Sequence, residues 1–195
     1  MGKAVLLRRS KFHRAEKNSV PFCGFIINTG DAEVDELDYA FGLNGTSVTD
    51  ISPIINMKTL KLLDLYGADL YDPSVLAGKG EFDFLDISND TGSYKYLDGK
   101  TITTLKIMNT DMDSLTYLSG VEGLQELYLT GTKLLGLTGI ESHKGLVYLN
   151  ISGTLIRNLS PLLLLPDLQQ VVVDFSMLNA AEAIAADATF EIKYE

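Results

Sequence analysis

Apolar residues recur along most of this chain at a spacing that neither one helix nor one strand produces. In the segment starting at Leu146, they fall at offsets 0, 3, 5, 10, 13, 16 and 19, as Leu146, Leu149, Ile151, Ile156, Leu159, Leu162 and Leu165, with Thr154 at offset 8. Twenty-two residues earlier, Leu124, Leu127, Leu129, Leu134, Leu137 and Ile140 take the same offsets, and His143 breaks the last. The pattern runs back through Ile102, Leu105 and Ile107, then Phe82, Leu85 and Ile87, then Leu60, Leu63 and Leu65, to Phe41 and Leu43. It runs forward through Leu168, Val171, Val173, Leu178 and Ala181. Seven units result, starting at 38, 60, 82, 102, 124, 146 and 168.

Offsets 3 and 5 alternate, which predicts a short strand with one face inward. Offsets 10 to 19 advance in threes, which suits 3₁₀-like or helical turns on the opposite wall. One unit cannot bury both walls alone, so the units stack into a parallel sheet over one continuous core. Offset 8 is polar, as Thr46, Asp90, Thr110, Thr132, Thr154 and Ser176, with Ala68 the exception. A short polar side chain there can bond backbone groups where the strand turns away. The unit Phe82–Thr101 is two residues short. The apolar pattern is lost from Asn89 to Tyr94, and the stretch from Asp86 to Gly92 reads as a polar loop replacing the shortened convex wall.

These repeats resemble the 22-residue leucine-rich repeats of bacterial internalins and of the related phosphatase-regulator subfamily. Thr replaces the usual Asn of the polar ladder, and the turns Ser52-Pro53-Ile54 and Ser160-Pro161-Leu162 match the subfamily's convex side. The resemblance covers about residues 38–189. It implies an α/β fold: a right-handed solenoid with a parallel sheet on the concave face, short 3₁₀ or α turns on the convex face, and a cap at each end. It also implies binding, without naming what is bound.

Three regions are expected. Residues 1–37 form an N-terminal β cap from strands at 3–8 and 19–28, a departure from the helical cap of internalins. Residues 38–189 form the seven repeats, and 190–195 a C-terminal edge strand in which Phe190, Ile192 and Tyr194 alternate. Between repeats and edge strand, Asn179 to Glu182 reads as a helix start with Glu182 capping backward, and a short helix spans Ala180–Ala188.

Charge is distributed unevenly. Residues 1–20 carry Lys3, Arg8, Arg9, Lys11, Arg14 and Lys17 against Glu16, a balance of +5. The remainder carries 10 basic and 25 acidic side chains, a balance of −15 within the overall −10. Such a body repels a phosphate backbone, so no nucleic acid is expected on the repeats. It favours a basic protein partner, or simply serves solubility. The basic segment is either a contact for nucleic acid or an acidic surface, or a solvated hairpin. No apolar run reaches the roughly 18 residues of a membrane span, and no signal-peptide core opens the chain. A cytoplasmic monomer that does not associate with membranes is therefore expected.

Candidate chemistry is thin. Cys23 is alone and reads as a small core residue. The run Asp86 to Gly92 has some features of a calcium loop, but its Gly comes one place late and Leu97 stands where the bidentate Glu belongs. Gly78-Lys79-Gly80 lacks the spacing of a phosphate loop. His13 and His143 belong to no catalytic motif, and His143 occupies a convex core offset. No enzyme, no cofactor and no metal is expected.

Offsets 2, 4 and 6 of each strand point away from the core and tile the concave wall. The repeat requires nothing apolar there. Yet Leu62, Tyr66, Phe84, Met108, Tyr128 and Tyr148 occupy these offsets, interleaved with Asp64, Asp86, Lys106, Glu126 and Asn150. Aromatics with charged neighbours suit a protein-binding hot spot, although strands favour aromatics in any case. The expected function is a non-catalytic interaction module that holds a protein partner on this wall. Its narrower form is an immunity-type inhibitor masking a basic toxin or enzyme. The alternative is a secreted or delivered effector or scaffold engaging a host protein.

Overall fold

The computed structural model describes residues 40–195, apart from 45–48, 53, 55, 56, 58, 59, 69 and 91. The readings of strands at 3–8 and 19–28, of Cys23, His13 and the basic segment, and of Thr46 in the polar ladder lie outside the described residues. Among the described residues, eight strands form one sheet in chain order. They are β1 (Ala40–Gly42), β2 (Leu62–Asp64), β3 (Glu81–Asp86), β4 (Thr101–Lys106), β5 (Glu126–Tyr128), β6 (Tyr148–Asn150), β7 (Gln170–Val173) and β8 (Glu191–Tyr194). Every neighbouring pair is parallel. 3₁₀ turns at Pro73–Gly78, Ser93–Tyr96, Leu115–Leu118, Ile140–Ser142 and Ser160–Leu164 return the chain along the far wall. No described helix is long and apolar enough to cross a membrane.

The register explains the repeat. Leu63, Leu85, Leu105, Leu127, Leu149 and Val171 lie side by side at offset 3 and are wholly buried. A leucine removed from water contributes about 2 kcal/mol, but only when the next unit covers it. Each coil is thus stable through its neighbours rather than alone.

Offset 8 does what its polarity implies. Thr110, Thr132 and Thr154 are buried, and each hydroxyl donates to the carbonyl three residues earlier, at Ile107, Leu129 and Ile151 (3.3, 2.8 and 2.7 Å). One position before it lies a column that the apolar pattern conceals. Gly67, Asn89, Asn109, Gly131 and Gly153 all have positive φ, between 54° and 69°. This left-handed residue turns the chain off the sheet while its N–H still bonds the next unit. Gly67, Asn89, Asn109 and Gly131 donate to the carbonyls of Ser88, Met108, Thr130 and Ser152 at 2.8–2.9 Å. Asn is the non-glycine residue best suited to this conformation.

Three expectations are corrected. The unit starting at Phe82 is not left with a polar loop alone. Asp90 accepts the Ser93 N–H (2.8 Å), starting a 3₁₀ turn that drives Tyr94 and Leu97 into the core. The large Tyr94 ring spans the space of the shorter coil, and its hydroxyl donates to Asp111 (2.8 Å). In the unit starting at Leu168, Ser176 and Leu178 are exposed instead of buried. Phe175 stands where the left-handed residue belongs and begins a 3₁₀ turn, Phe175–Met177. The phase shifts by one residue, so Met177 enters the core in place of Leu178. The helix α1 accordingly spans Leu178–Glu182, not 180–188, and Met177 precedes it with no side-chain cap.

Candidate functional site

Two rows of outward positions cross the sheet. The row at offset 2 runs Leu62, Phe84, Thr104, Glu126, Tyr148, Gln170 and Glu191. The row at offset 4 runs Asp64, Asp86, Lys106, Tyr128, Asn150, Val172 and Lys193. Neighbours within a row are one inter-strand spacing apart, roughly 4.8 Å, so long side chains touch across strands.

At the centre, the Lys106 ammonium lies between two rings, 5.3 Å from the Phe84 centroid and 5.0 Å from that of Tyr128. Tyr128 in turn packs on Tyr148, centroid to centroid 4.9 Å with a tilt of 37°. The Tyr128 hydroxyl donates to Glu126 (3.1 Å). Phe84, Lys106, Tyr128 and Tyr148 thus form one continuous contact over β3, β4, β5 and β6. All four are half-buried, with one side open to solvent. Burial first, and then the Glu126 carboxylate, push the Tyr128 phenol upward, so it remains a neutral donor.

The polar residues of the wall divide by role. Asp64, Asp86 and Asn150 each use a side-chain oxygen to accept the N–H two residues on, at Tyr66, Ser88 and Ser152 (3.0, 2.9 and 3.0 Å). They close the strand end as Asx turns, and Asp86 and Asn150 are buried. Lys106 cannot accept, and there the equivalent N–H, of Met108, is bonded by the Ser88 hydroxyl of the preceding unit (2.9 Å). Burial raises the Asp64 carboxyl above its usual range, and Asp86 adds to this, while the Tyr66 N–H and Lys106 oppose it. Glu126 and Tyr66 are exposed, and Leu62 and Met108 are half-exposed.

The concave positions named from sequence thus share one wall, and among them Phe84, Lys106, Tyr128, Tyr148, Glu126 and Asn150 are linked by side-chain contacts. Glu195 was missed. Its carboxylate accepts from the Asn150 amide (3.2 Å) and from the Ser152 hydroxyl. Its place follows if the offsets are carried into an eighth unit, where Ile192, Tyr194 and Glu195 fall at 3, 5 and 6.

A second concavity, about 1110 Å³, lies at the other margin, where the convex turns return to the strands. Glu122, Gln125, His143, Asp167 and Gln169 line it. His143 is buried, and its Nε2 has no hydrogen-bond partner. It occupies a column that Met57, Val121 and Leu165 fill elsewhere and that also contains Lys79 and Lys100. Those two lysines reach back one unit, Lys79 to the Met57 carbonyl and Lys100 to the Lys79 carbonyl. Burial lowers the Lys100 ammonium below its ordinary pKa. Among the described residues no cluster of His, Cys, Asp or Glu could hold a metal ion.

No protein-family model and no curated protein matches the chain. Among solved structures, it is similar to an internalin (inlF) from Listeria monocytogenes, at 17% identity and a TM-score of 0.60, over 80% of this chain and 48% of that one. It is also similar to an internalin C2 (inlC2) from the same species, at 22% identity and a TM-score of 0.57, over 68% of this chain and 60% of that one. The chain therefore spans less than two thirds of the length of either. The likeness is one of fold: this is a leucine-rich-repeat solenoid resembling the bacterial internalins.

Proposed function

We propose that this internalin-like solenoid is a binding module that grips a protein partner on its concave wall, acting by contact rather than by turnover. The observation that carries the reading is the cluster Phe84–Lys106–Tyr128–Tyr148, which crosses four adjacent strands. The repeat needs none of these side chains, since its core lies on the opposite face. Their mutual packing holds them in place before a partner arrives, which reduces the entropy lost on binding. Aromatic residues packed in this way, open on one side and ringed by polar neighbours, match the anatomy of binding hot spots.

The charge around the cluster sets the kind of partner. Asp64 and Glu126 on the wall and a body at −15 favour a basic surface and speed its approach. The narrower form of this proposal is an inhibitor that masks a basic protein, such as a toxin or enzyme.

The test begins with capture of the partner from the native host and its identification by mass spectrometry. Calorimetric titration then compares the wild type with Tyr128→Ala/Tyr148→Ala. The double variant is expected to lose at least tenfold in affinity, as truncation of hot-spot aromatics does, while its thermal transition stays cooperative. Equal affinity in both proteins would move the binding surface off this wall.

A further inference from the structure

At the C-terminal end of the sheet, among the described residues, nothing pairs with the outer edge of β8. The Glu191 N–H donates to the Gln169 carbonyl (2.8 Å) and the Glu195 N–H to the Val173 carbonyl (3.1 Å). Backbone groups alternate in direction along a strand. Those of Ile192 and Tyr194 therefore point outward, away from β7, as donors and acceptors that no strand among the described residues meets. Open edges of this kind are templates for another strand.

Beside this edge lies an apolar patch that the phase shift at Phe175 created. Phe175 is 71% exposed, Leu178 41% and Tyr194 38%. The rings of Phe175 and Tyr194 stack at 5.4 Å, 17° from parallel. Contiguous exposed aromatics at an open edge mark an interaction surface.

The charges on β8 indicate what covers it. Glu191 and Lys193 flank Ile192 on the outward face and pair with each other at 3.4 Å. A lone edge lysine would discourage a second edge, but this pair is self-complementary. If two copies of β8 meet antiparallel about Ile192, the outward groups of Ile192 face those of Ile192 in the second copy. Glu191 then lies opposite Lys193 of that copy, and Phe190 opposite its Tyr194. Opposite charges meet twice, apolar residues meet on the other face, and the outward N–H and C=O groups find partners.

We propose that the β8 edge, with Phe175, Leu178 and Tyr194 beside it, docks a second copy of this chain antiparallel about Ile192, joining the two sheets into one. The contact uses Glu191 and Lys193 at the C-terminal end of the two concave rows and leaves the Phe84–Lys106–Tyr128–Tyr148 cluster free in both copies.

The test is sedimentation equilibrium of the full chain as wild type, Lys193→Glu and Glu191→Lys/Lys193→Glu, with circular dichroism confirming each fold. A dimer is expected for the wild type. Lys193→Glu places like charges opposite one another twice and is expected to weaken self-association about tenfold. The double variant restores opposite charges with their signs exchanged and is expected to regain the wild-type constant. A monomeric wild type, a dimer indifferent to Lys193→Glu, or a double variant no better than the single one would each overturn the proposal.

Discussion

His143 shows how one residue can be at odds with its column. Met57, Val121 and Leu165 fill the equivalent turns with apolar side chains, whereas His143 buries an imidazole whose Nε2 has no partner. Burial holds its pKa below the ordinary 6.5, against an opposing pull from Glu141. The unfolded chain then takes up the proton more readily than the folded one. The stabilisation present above about pH 6.5 is lost as pH falls below that value, and the loss levels off beneath the folded pKa. His143→Leu is expected to raise stability by about 1 kcal/mol, through removal of an unsatisfied polar atom. It should also flatten the dependence of the melting temperature on pH between 7 and 5. A calorimetric series on both proteins checks this, and an unchanged slope would show that other groups govern that window.

At the scale of the element, the turn off each strand depends on a left-handed residue and on the bond that its N–H makes to the next unit. The last of these bonds differs in kind. Gly153 donates not to a carbonyl but to the Asp174 carboxylate (2.6 Å), which also accepts the Ser176 N–H (2.7 Å). A hydrogen bond from the Ser176 hydroxyl is the main reason that the Asp174 pKa lies below its usual value, and the Gly153 and Ser176 N–H groups add to it against the opposing effect of burial. One side chain thus replaces the missing carbonyl and caps the turn that follows. Asp174→Ala is expected to cost about 1–2 kcal/mol, in the range of a lost cap. Asp174→Asn, which still accepts, should cost less. Chemical denaturation of the three proteins separates the cases, and equal stability would mean that water serves the turn equally well. Gly153 itself has little freedom to change, because its φ is +66° and an added Cβ would lie 3.3 Å from the Gly131 nitrogen.

For the whole molecule, stability is carried by stacking. Each unit shields the next, so removing one should cost its own folding energy and one interface while the remaining register survives. Deletion of residues 124–145 removes one 22-residue unit, β5 included. It joins β4 to β6 with equivalent turns on either side. The shortened chain is expected to fold with a lower melting temperature and a smaller denaturant m-value, in proportion to the surface no longer buried. It should also lose partner binding, since Tyr128 is gone and Lys106 faces Asn150 instead of an aromatic ring. A deletion variant as stable as the wild type would contradict the nearest-neighbour picture.

The architecture was legible because it rests on local spacing. Offsets 3 and 5 define an inward strand face and offsets in threes define the returning wall, and burial demands the same residue types in every coil. The polar ladder was legible for the same reason, since Thr at offset 8 serves its own unit's backbone. Where the chain departed from the pattern, the spacing could not say how. Tyr94 in the short unit and Phe175 at the left-handed position each redirect the backbone, and the outcome depends on the volume that neighbouring coils leave open. The wall was harder to read. Sequence named its residues, but an aspartate that closes a turn looks the same as one that faces a partner. Which side chains meet is settled by register between strands about 22 residues apart, and that register sets Lys106 between Phe84 and Tyr128. Glu195 reaches Asn150 across 45 residues of chain for the same reason. Contacts within a unit are encoded in one coil's sequence, whereas contacts between units exist only once the coils are stacked.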